Sequence, residues 1–184
     1  MDGVDYEIIP LTELIIRFGE EKVAQSLKRY KGVFDSATES YLHDKAIEME
    51  KRDISRTYMA VDTDMNILGY VTIGIKCAMF DSDDDSTKEI SEKIRHRMNI
   101  DMKNDVAQSY LLGQLSRSPD APKGFGETLV GMAIRELLES KRIVGCRMVR
   151  LDCHDELIPY YERLGFKYIR KNADGTLNQM VTFI

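Results

Sequence analysis

Tryptophan is absent from this 184-residue chain, proline occurs four times and cysteine three times. With only 12 glycines beside those prolines, a collagenous or low-complexity protein is excluded. The cysteines (Cys77, Cys146 and Cys153) are odd in number and show no C-x-x-C spacing. That fits neither a disulfide framework nor a zinc site, so they read as apolar fillers in a reducing compartment, and no metal is expected. No apolar run approaches the roughly 18 residues of a membrane span. The opening Met-Asp-Gly-Val-Asp lacks the basic-then-apolar order of a signal peptide. The expectation is a soluble, cytoplasmic protein with no membrane partner. A chain of this length buries roughly 70% of its unfolded surface as one domain without a covalent staple.

Basic charge is also scarce: 26 Lys/Arg stand against 31 Asp/Glu, a net of -5. The imbalance is uneven. Residues 121–171 carry 10 Lys/Arg against 7 Asp/Glu, whereas residues 1–120 carry 16 against 23. An acidic total argues against a nucleic-acid binder. The mildly basic later third suits an anionic small molecule.

What is present is a regular alternation of elements. Tyr6–Ile9 reads as a strand, and Leu11–Phe18 and Glu20–Tyr30 as helices broken by Gly19. Thr38–Arg52 reads as one helix with Leu42, Ala46 and Met49 on a stripe. Thr57–Val61 and the strand through Met79 form a hairpin about Asp62–Asn66. The second strand puts Val71, Ile73, Ile75, Cys77 and Met79 on one face. Asp81–Asp85 lacks the glycine and distal glutamate of an EF-hand and reads as a solvated loop. Ser86–Met98 is a charged helix, and His43 and His96 lie on charged helices as solvated side chains. Val106–Leu115 is a strand. Val130, Ala133, Ile134, Leu137 and Leu138 mark an amphipathic helix to about Lys141. Met148–Cys153 is a strand, Asp155–Leu164 a helix capped by Asp155, and Phe166–Arg170 and Asn178–Phe183 are strands. The result is an α/β fold with a mixed sheet.

Two stretches carry chemistry. The first is Lys123-Gly-Phe-Gly-Glu-Thr128 between a strand and a helix. A helix start has unpaired N–H groups and partial positive charge, and glycine lets a ligand approach, which suits a phosphate or pyrophosphate. No Gly-Lys-Ser/Thr follows, and position 129 is Leu, so neither a Walker loop nor a G-x-G-x-x-G fingerprint is present. The second is Leu157-Ile-Pro-Tyr-Tyr-Glu-Arg-Leu-Gly-Phe166, a short helix with two tyrosines closed by Gly165. A phenol with a pKa near 10 is a proton donor at neutral pH, suited to reprotonating a thiolate.

In this order and spacing, the two stretches resemble the GCN5-related N-acetyltransferases (the GNAT superfamily) over nearly the whole chain. The family's Arg/Gln-x-x-Gly-x-Gly/Ala loop is similar to Ala121-Pro-Lys-Gly124-Phe-Gly126, with Ala121 replacing the leading residue. Its Tyr-Glu-x-x-Gly-Phe helix end is matched by Tyr161-Glu-Arg-Leu-Gly165-Phe166. Phe34-Asp35, Ser55–Val61, Ile67–Tyr70 and Leu111–Leu115 further resemble the toxin-type acetyltransferases of toxin–antitoxin pairs, which acetylate aminoacyl-tRNA. Gln114 stands where those enzymes usually have arginine.

The resemblance implies a single GNAT domain over residues 1–184, with acceptor-side elements in about 1–105 and an acetyl-CoA-binding core in about 106–170. Its sheet is central, mixed, mostly antiparallel and twisted, is flanked by helices, and has splayed strands forming an acyl-CoA slot. Acetyl-CoA is the implied co-substrate. Main-chain groups of Leu115 and Arg117 would meet the pantetheine arm. Amides of Lys123, Gly124, Phe125, Gly126, Glu127 and Thr128 would hold the pyrophosphate, and Tyr161 would be the general acid. Candidate bases are Asp152, His154 and Glu162, or a water relay. The expected reaction is direct acetyl transfer to a primary amine of a small molecule or protein. The alternatives are a toxin acting on aminoacyl-tRNA and a non-catalytic CoA-binding form. The acidic acceptor segments point to a cationic amine before tRNA, and family habit to a homodimer.

Overall fold

The computed structural model describes residues 5–34, 36–80, 87–98, 100–101 and 103–184. Asp35, the expected Asp81–Asp85 loop and Ser86 lie outside the described residues. Eight strands follow the order β1-β2-β3-β5-β6-β8-β7, with β4 paired to β5. They are Tyr6–Pro10 (β1), Ser55–Asp62 (β2), Ile67–Met79 (β3), Ile100–Asp101 (β4), Val106–Arg117 (β5), Met148–Cys153 (β6), Lys167–Lys171 (β7) and Asn178–Phe183 (β8). Strands β5 and β6 pair in parallel, while β1–β2, β2–β3, β4–β5, β6–β8 and β7–β8 are antiparallel, giving a mixed, mostly antiparallel sheet as expected.

The chain divides into two compact units, Met1–Gly74 with Gly113–Arg135, and Ile75–Leu112 with Glu136–Ile184. In the first unit, α1 (Leu11–Phe18), α2 (Glu20–Leu27), α3 (Ser36–Asp44) and α4 (Ala46–Lys51) accompany β1, β2 and the first part of β3. Leu11, Leu27, Leu42, Ala46, Met59 and Tyr70 make the centre of its core. The single helix expected over Thr38–Arg52 is two, because Lys45 leaves helical geometry at φ -124°. Leu42 and Ala46 nevertheless both reach the core. The β2–β3 turn closes on Asp62, whose carboxylate accepts the amides of Asp64 (2.9 Å) and Asn66 (2.8 Å) and the Asn66 side chain (3.0 Å). Those bonds, the Asn66 side chain first, hold the Asp62 carboxyl below its ordinary range.

The alternation expected along β3 changes face. Residues 68–73 are all buried, whereas beyond Gly74 the covered residue is Ala78, with Ile75 77% exposed. The register with β2 ends at Ser55↔Gly74, so the strand's covering changes there. Of the expected cysteine fillers, Cys153 is buried, Cys146 half-buried and Cys77 exposed. His43 is not simply solvated, since its Nε2 bonds the Tyr30 carbonyl at 2.9 Å.

In the second unit, α5 (Lys88–Arg97) and β4 to β8 surround Ala78, Phe80, Ile94, Met148, Ile169 and Val181. Helix α6 (Phe125–Val144) begins in the first unit and ends in the second. It buries Leu129, Val130, Met132, Ala133 and Leu137, whereas Leu138, expected on the buried stripe, is 41% exposed. Asp155–Leu157 form a 3₁₀ turn, and α7 (Ile158–Arg163) starts only after it. Asp155 does not cap that helix. Its carboxylate instead takes Lys171 Nζ (2.5 Å) and Asn178 Nδ2 (2.6 Å), which hold it below its ordinary range. No described helix is long and apolar enough to cross a membrane.

Candidate active site

On the first unit, β5 ends at Arg117 and α6 starts at Phe125, so Ser118–Gly124 is the connecting loop. The Ser118 amide donates to Leu68 O (2.8 Å), tying the loop's start to β3. Gly124 has φ +85°, a left-handed conformation in which L side chains are strained. A Cβ built there meets nothing within 4 Å, so glycine serves the backbone, not a packing need. Of the six amides expected to bind pyrophosphate, two are engaged internally: Phe125 N–H donates to Pro122 O (3.1 Å) and Glu127 N–H to Gly124 O (2.9 Å). Lys123, Gly124, Gly126 and Thr128 remain as donors at the positive end of a 20-residue helix. The Phe125 ring is buried edge-on to Tyr6, with centroids 5.2 Å apart, so its side chain is a packing group. Within the loop Ala121 is buried and Lys123 is exposed.

The two main-chain positions expected for the pantetheine arm differ. The Arg117 carbonyl already accepts the Val33 amide at 3.1 Å. Tyr30, on the same segment as Val33, donates from its hydroxyl to Ser116 Oγ at 2.9 Å. Burial pushes the Tyr30 phenol up to about 12, the Ser116 bond opposing it. Next to this segment lies a cleft of about 460 Å³, lined by Arg29, Lys31, Asp62, Asn66, Ser118 and Asp120 among others. Lys31 pairs with Glu39 at 3.0 Å and Lys28 with Asp44 at 3.7 Å. Arg29 meets no carboxylate among the described residues.

The second unit carries the tyrosines. The Gly165 amide bonds Glu162 O (3.0 Å) and the Phe166 amide bonds Tyr161 O (3.0 Å), ending α7 where the sequence predicts. Tyr161 is 7% exposed and stacks edge-on against Tyr160 (5.0 Å) and Phe166 (5.8 Å). Burial drives its phenol well above the ordinary tyrosine range, with Tyr160 and Cys153 adding to the shift. The neighbouring Cys153 thiol is pushed up to about 11 by burial first, then by Asp152, Asp155 and Glu156.

Among the candidate bases, Asp152 is committed elsewhere. Arg150 grips it through Nε (2.9 Å) and Nη2 (2.9 Å), and Lys76 Nζ approaches at 3.2 Å. Arg150 Nη1 also donates to Cys77 O (2.5 Å). Spacing i, i+2 on a strand puts Arg150 and Asp152 on one face, a signal that could have found this pair. His154 and Glu162 are exposed. Strands β5 and β6 pair at Tyr110↔Val149 and Leu111↔Arg150, and β5 then continues to Arg117. Among the described residues no group of three or more His, Cys, Asp or Glu is placed to hold a metal ion.

No family model matches the sequence, and no curated protein matches it. Solved structures do. AtaT complexed with acetyl-methionyl-tRNAfMet is 18% identical, with 95% of this chain and 94% of that chain covered at a TM-score of 0.70. AtaTR bound with AcCoA is 18% identical, with 97% and 93% covered at 0.67. A tyrosine-to-phenylalanine mutant of KacT is 17% identical, with 97% and 94% covered at 0.70. The chain therefore has a GNAT-like α/β fold, similar to that of these structures over nearly its full length.

Proposed function

We propose that the protein is an acetyl-CoA-dependent N-acetyltransferase and that its acceptor is the amino group of an aminoacyl-tRNA. The observation that carries the reading is the loop at the start of α6. There Gly124 at φ +85° and the amides left at Lys123, Gly124, Gly126 and Thr128 fit a pyrophosphate. The likeness to AtaT bound to acetyl-methionyl-tRNAfMet favours charged tRNA over the cationic amine that net charge points to. Net charge is a whole-chain sum, whereas Lys28, Arg29 and Lys31 cluster on one segment, Arg29 without a carboxylate partner among the described residues. Such local clusters attract polyanions whatever the total.

In the proposed reaction, the acceptor nitrogen attacks the thioester carbonyl, a C–N bond forms and the C–S bond breaks. The Leu115 amide stabilises the developing oxyanion. The departing sulfur takes its proton from the Tyr161 hydroxyl, the acceptor's surplus proton passes to water, and a proton from water restores the Tyr161 phenol. Incubation with acetyl-CoA and either methionyl-tRNA or spermidine, following free thiol, tests this. Release with methionyl-tRNA alone is expected. Release with spermidine alone would return the acceptor to small cationic amines. Tight CoA binding with no release in either case would indicate the non-catalytic form.

Gly124→Ala tests the loop separately. With open space around the new Cβ, the penalty is conformational, about 1–2 kcal/mol. The expected result is a KM for acetyl-CoA raised about 10-fold with kcat little changed, since about 1.4 kcal/mol is a factor of ten in binding. An unchanged KM would remove the loop from CoA binding.

A further inference from the structure

We propose that Thr72 is a positioning residue whose hydroxyl sets the direction of the Leu115 amide; this rests on the acetyl-transfer reading. Thr72 lies in β3 and is 3% exposed. The Gln114 amide of β5 donates to its Oγ1 at 2.8 Å. Four residues away on each strand, the Ser118 amide donates to the main-chain carbonyl of Leu68 at 2.8 Å. Continued along the two antiparallel neighbours, that register calls for the Thr72 carbonyl as the acceptor of Gln114. The Thr72 hydroxyl lies on that path and takes the Gln114 amide. Thr72 is β-branched, so its χ1 is stiff and the acceptor is held in one position.

Position 113 is matched to this arrangement. A Cβ built on Gly113 would lie 2.5 Å from Thr72 Oγ1, closer than real Cβ contacts allow. Any side chain there would drive the hydroxyl away. The direction of neighbouring peptide groups then follows from strand geometry. Amides of residues 114 and 118 face β3, and successive N–H groups in a strand alternate between its two edges. The Leu115 amide therefore faces the edge of β5 away from β3. The Arg117 carbonyl faces that same edge, where it accepts the Val33 amide. Thr72 thus acts through Gln114 on the one main-chain donor that the proposed reaction assigns to the acyl oxygen. It touches no reacting atom itself.

The test uses acetyl-CoA labelled with ¹³C at the thioester carbonyl, bound to the full chain, so no acceptor is needed. A carbonyl held by a main-chain amide absorbs at lower frequency than the free thioester. The wild-type protein is expected to show that shift, Thr72→Val to lose most of it with acetyl-CoA affinity within about 2-fold, and Thr72→Ser to restore it. A purely structural role would move affinity or the melting temperature and leave the carbonyl frequency alone. Gly113→Ala, which displaces the hydroxyl by its Cβ, should reproduce the loss and serves if Thr72→Val does not fold. Equal carbonyl shifts in wild type and in whichever variant folds would overturn the role of Thr72 while leaving the acetyl-transfer reading intact. Failure of the wild-type protein to bind acetyl-CoA would overturn both.

Discussion

Replacing Tyr161 by phenylalanine is expected to lower turnover by ~10²–10⁴-fold, the range for a lost general acid, or about 3–5 kcal/mol of transition-state stabilisation. The fold should not suffer. The ring's edge contacts with Tyr160 and Phe166 survive the substitution. The hydroxyl has no hydrogen-bond partner among the described residues, so its removal leaves no buried group unsatisfied and the melting temperature should hold or rise. The pH dependence has a definite sign. Desolvation disfavours the phenolate, with Tyr160 and Cys153 acting in the same direction, so the hydroxyl stays protonated through and beyond neutral pH. Turnover should therefore show no falling limb from Tyr161 between pH ~7 and ~10, where an ordinary phenol begins to ionise. A buried site also raises the proton affinity of the departing thiolate above the ordinary ~8.5, which narrows the gap to its donor. Turnover and acetyl-CoA affinity both unchanged in Tyr161→Phe would remove this residue from the reaction.

The helix that carries Tyr161 was legible in the sequence because everything that ends it is local. Gly165 stops α7, Phe166 bonds back to the Tyr161 carbonyl, and the pattern lies within a few residues. The same holds for the α6 loop, where Gly124 lies just before the helix start. Distant pairings were not legible. Thr72 and Gln114 are 42 residues apart, and no local propensity shows that the hydroxyl of one takes the amide of the other. Asp155 looked like a helix cap by position alone, but Lys171 and Asn178 reach it from β7 and β8. Along β3, alternation in the sequence did not reveal how the strand is covered, since residues 68–73 are all buried and residues 75–77 all exposed. The covering changes at Gly74, where the pairing with β2 ends. Net charge points to a cationic amine, whereas the tRNA acceptor proposed above draws on a local cluster, Lys28, Arg29 and Lys31, that a sum over the chain cannot resolve.

Asp152→Ala is expected to destabilise the protein by about 3 kcal/mol, the lower end for breaking a buried ion pair. The Arg150 side chain is 7% exposed and that of Asp152 14%, so water cannot replace the lost carboxylate easily. Both carboxylate oxygens are used, one by Arg150 Nε and the other by Arg150 Nη2 and Lys76. The loss stays near the lower end because Arg150 keeps one partner, the Cys77 carbonyl, and because Lys76 is half-exposed and can turn to solvent. Removing both charges should hurt less than removing one. Arg150→Met combined with Asp152→Ala is expected to recover much of the loss, since apolar replacements for a buried pair come out near neutral. Denaturant midpoints of the two variants measure this directly. The same proteins decide whether Asp152 is the base. A carboxylate already gripped by a guanidinium fork and an ammonium is poorly placed to accept the acceptor amine's proton. Folded Asp152→Ala, assayed well below its melting temperature, should therefore keep thiol release within a few-fold of wild type. A loss of ~10²-fold or more, the range for an acid–base group, together with an unchanged denaturant midpoint, would make Asp152 the base and sink its structural assignment.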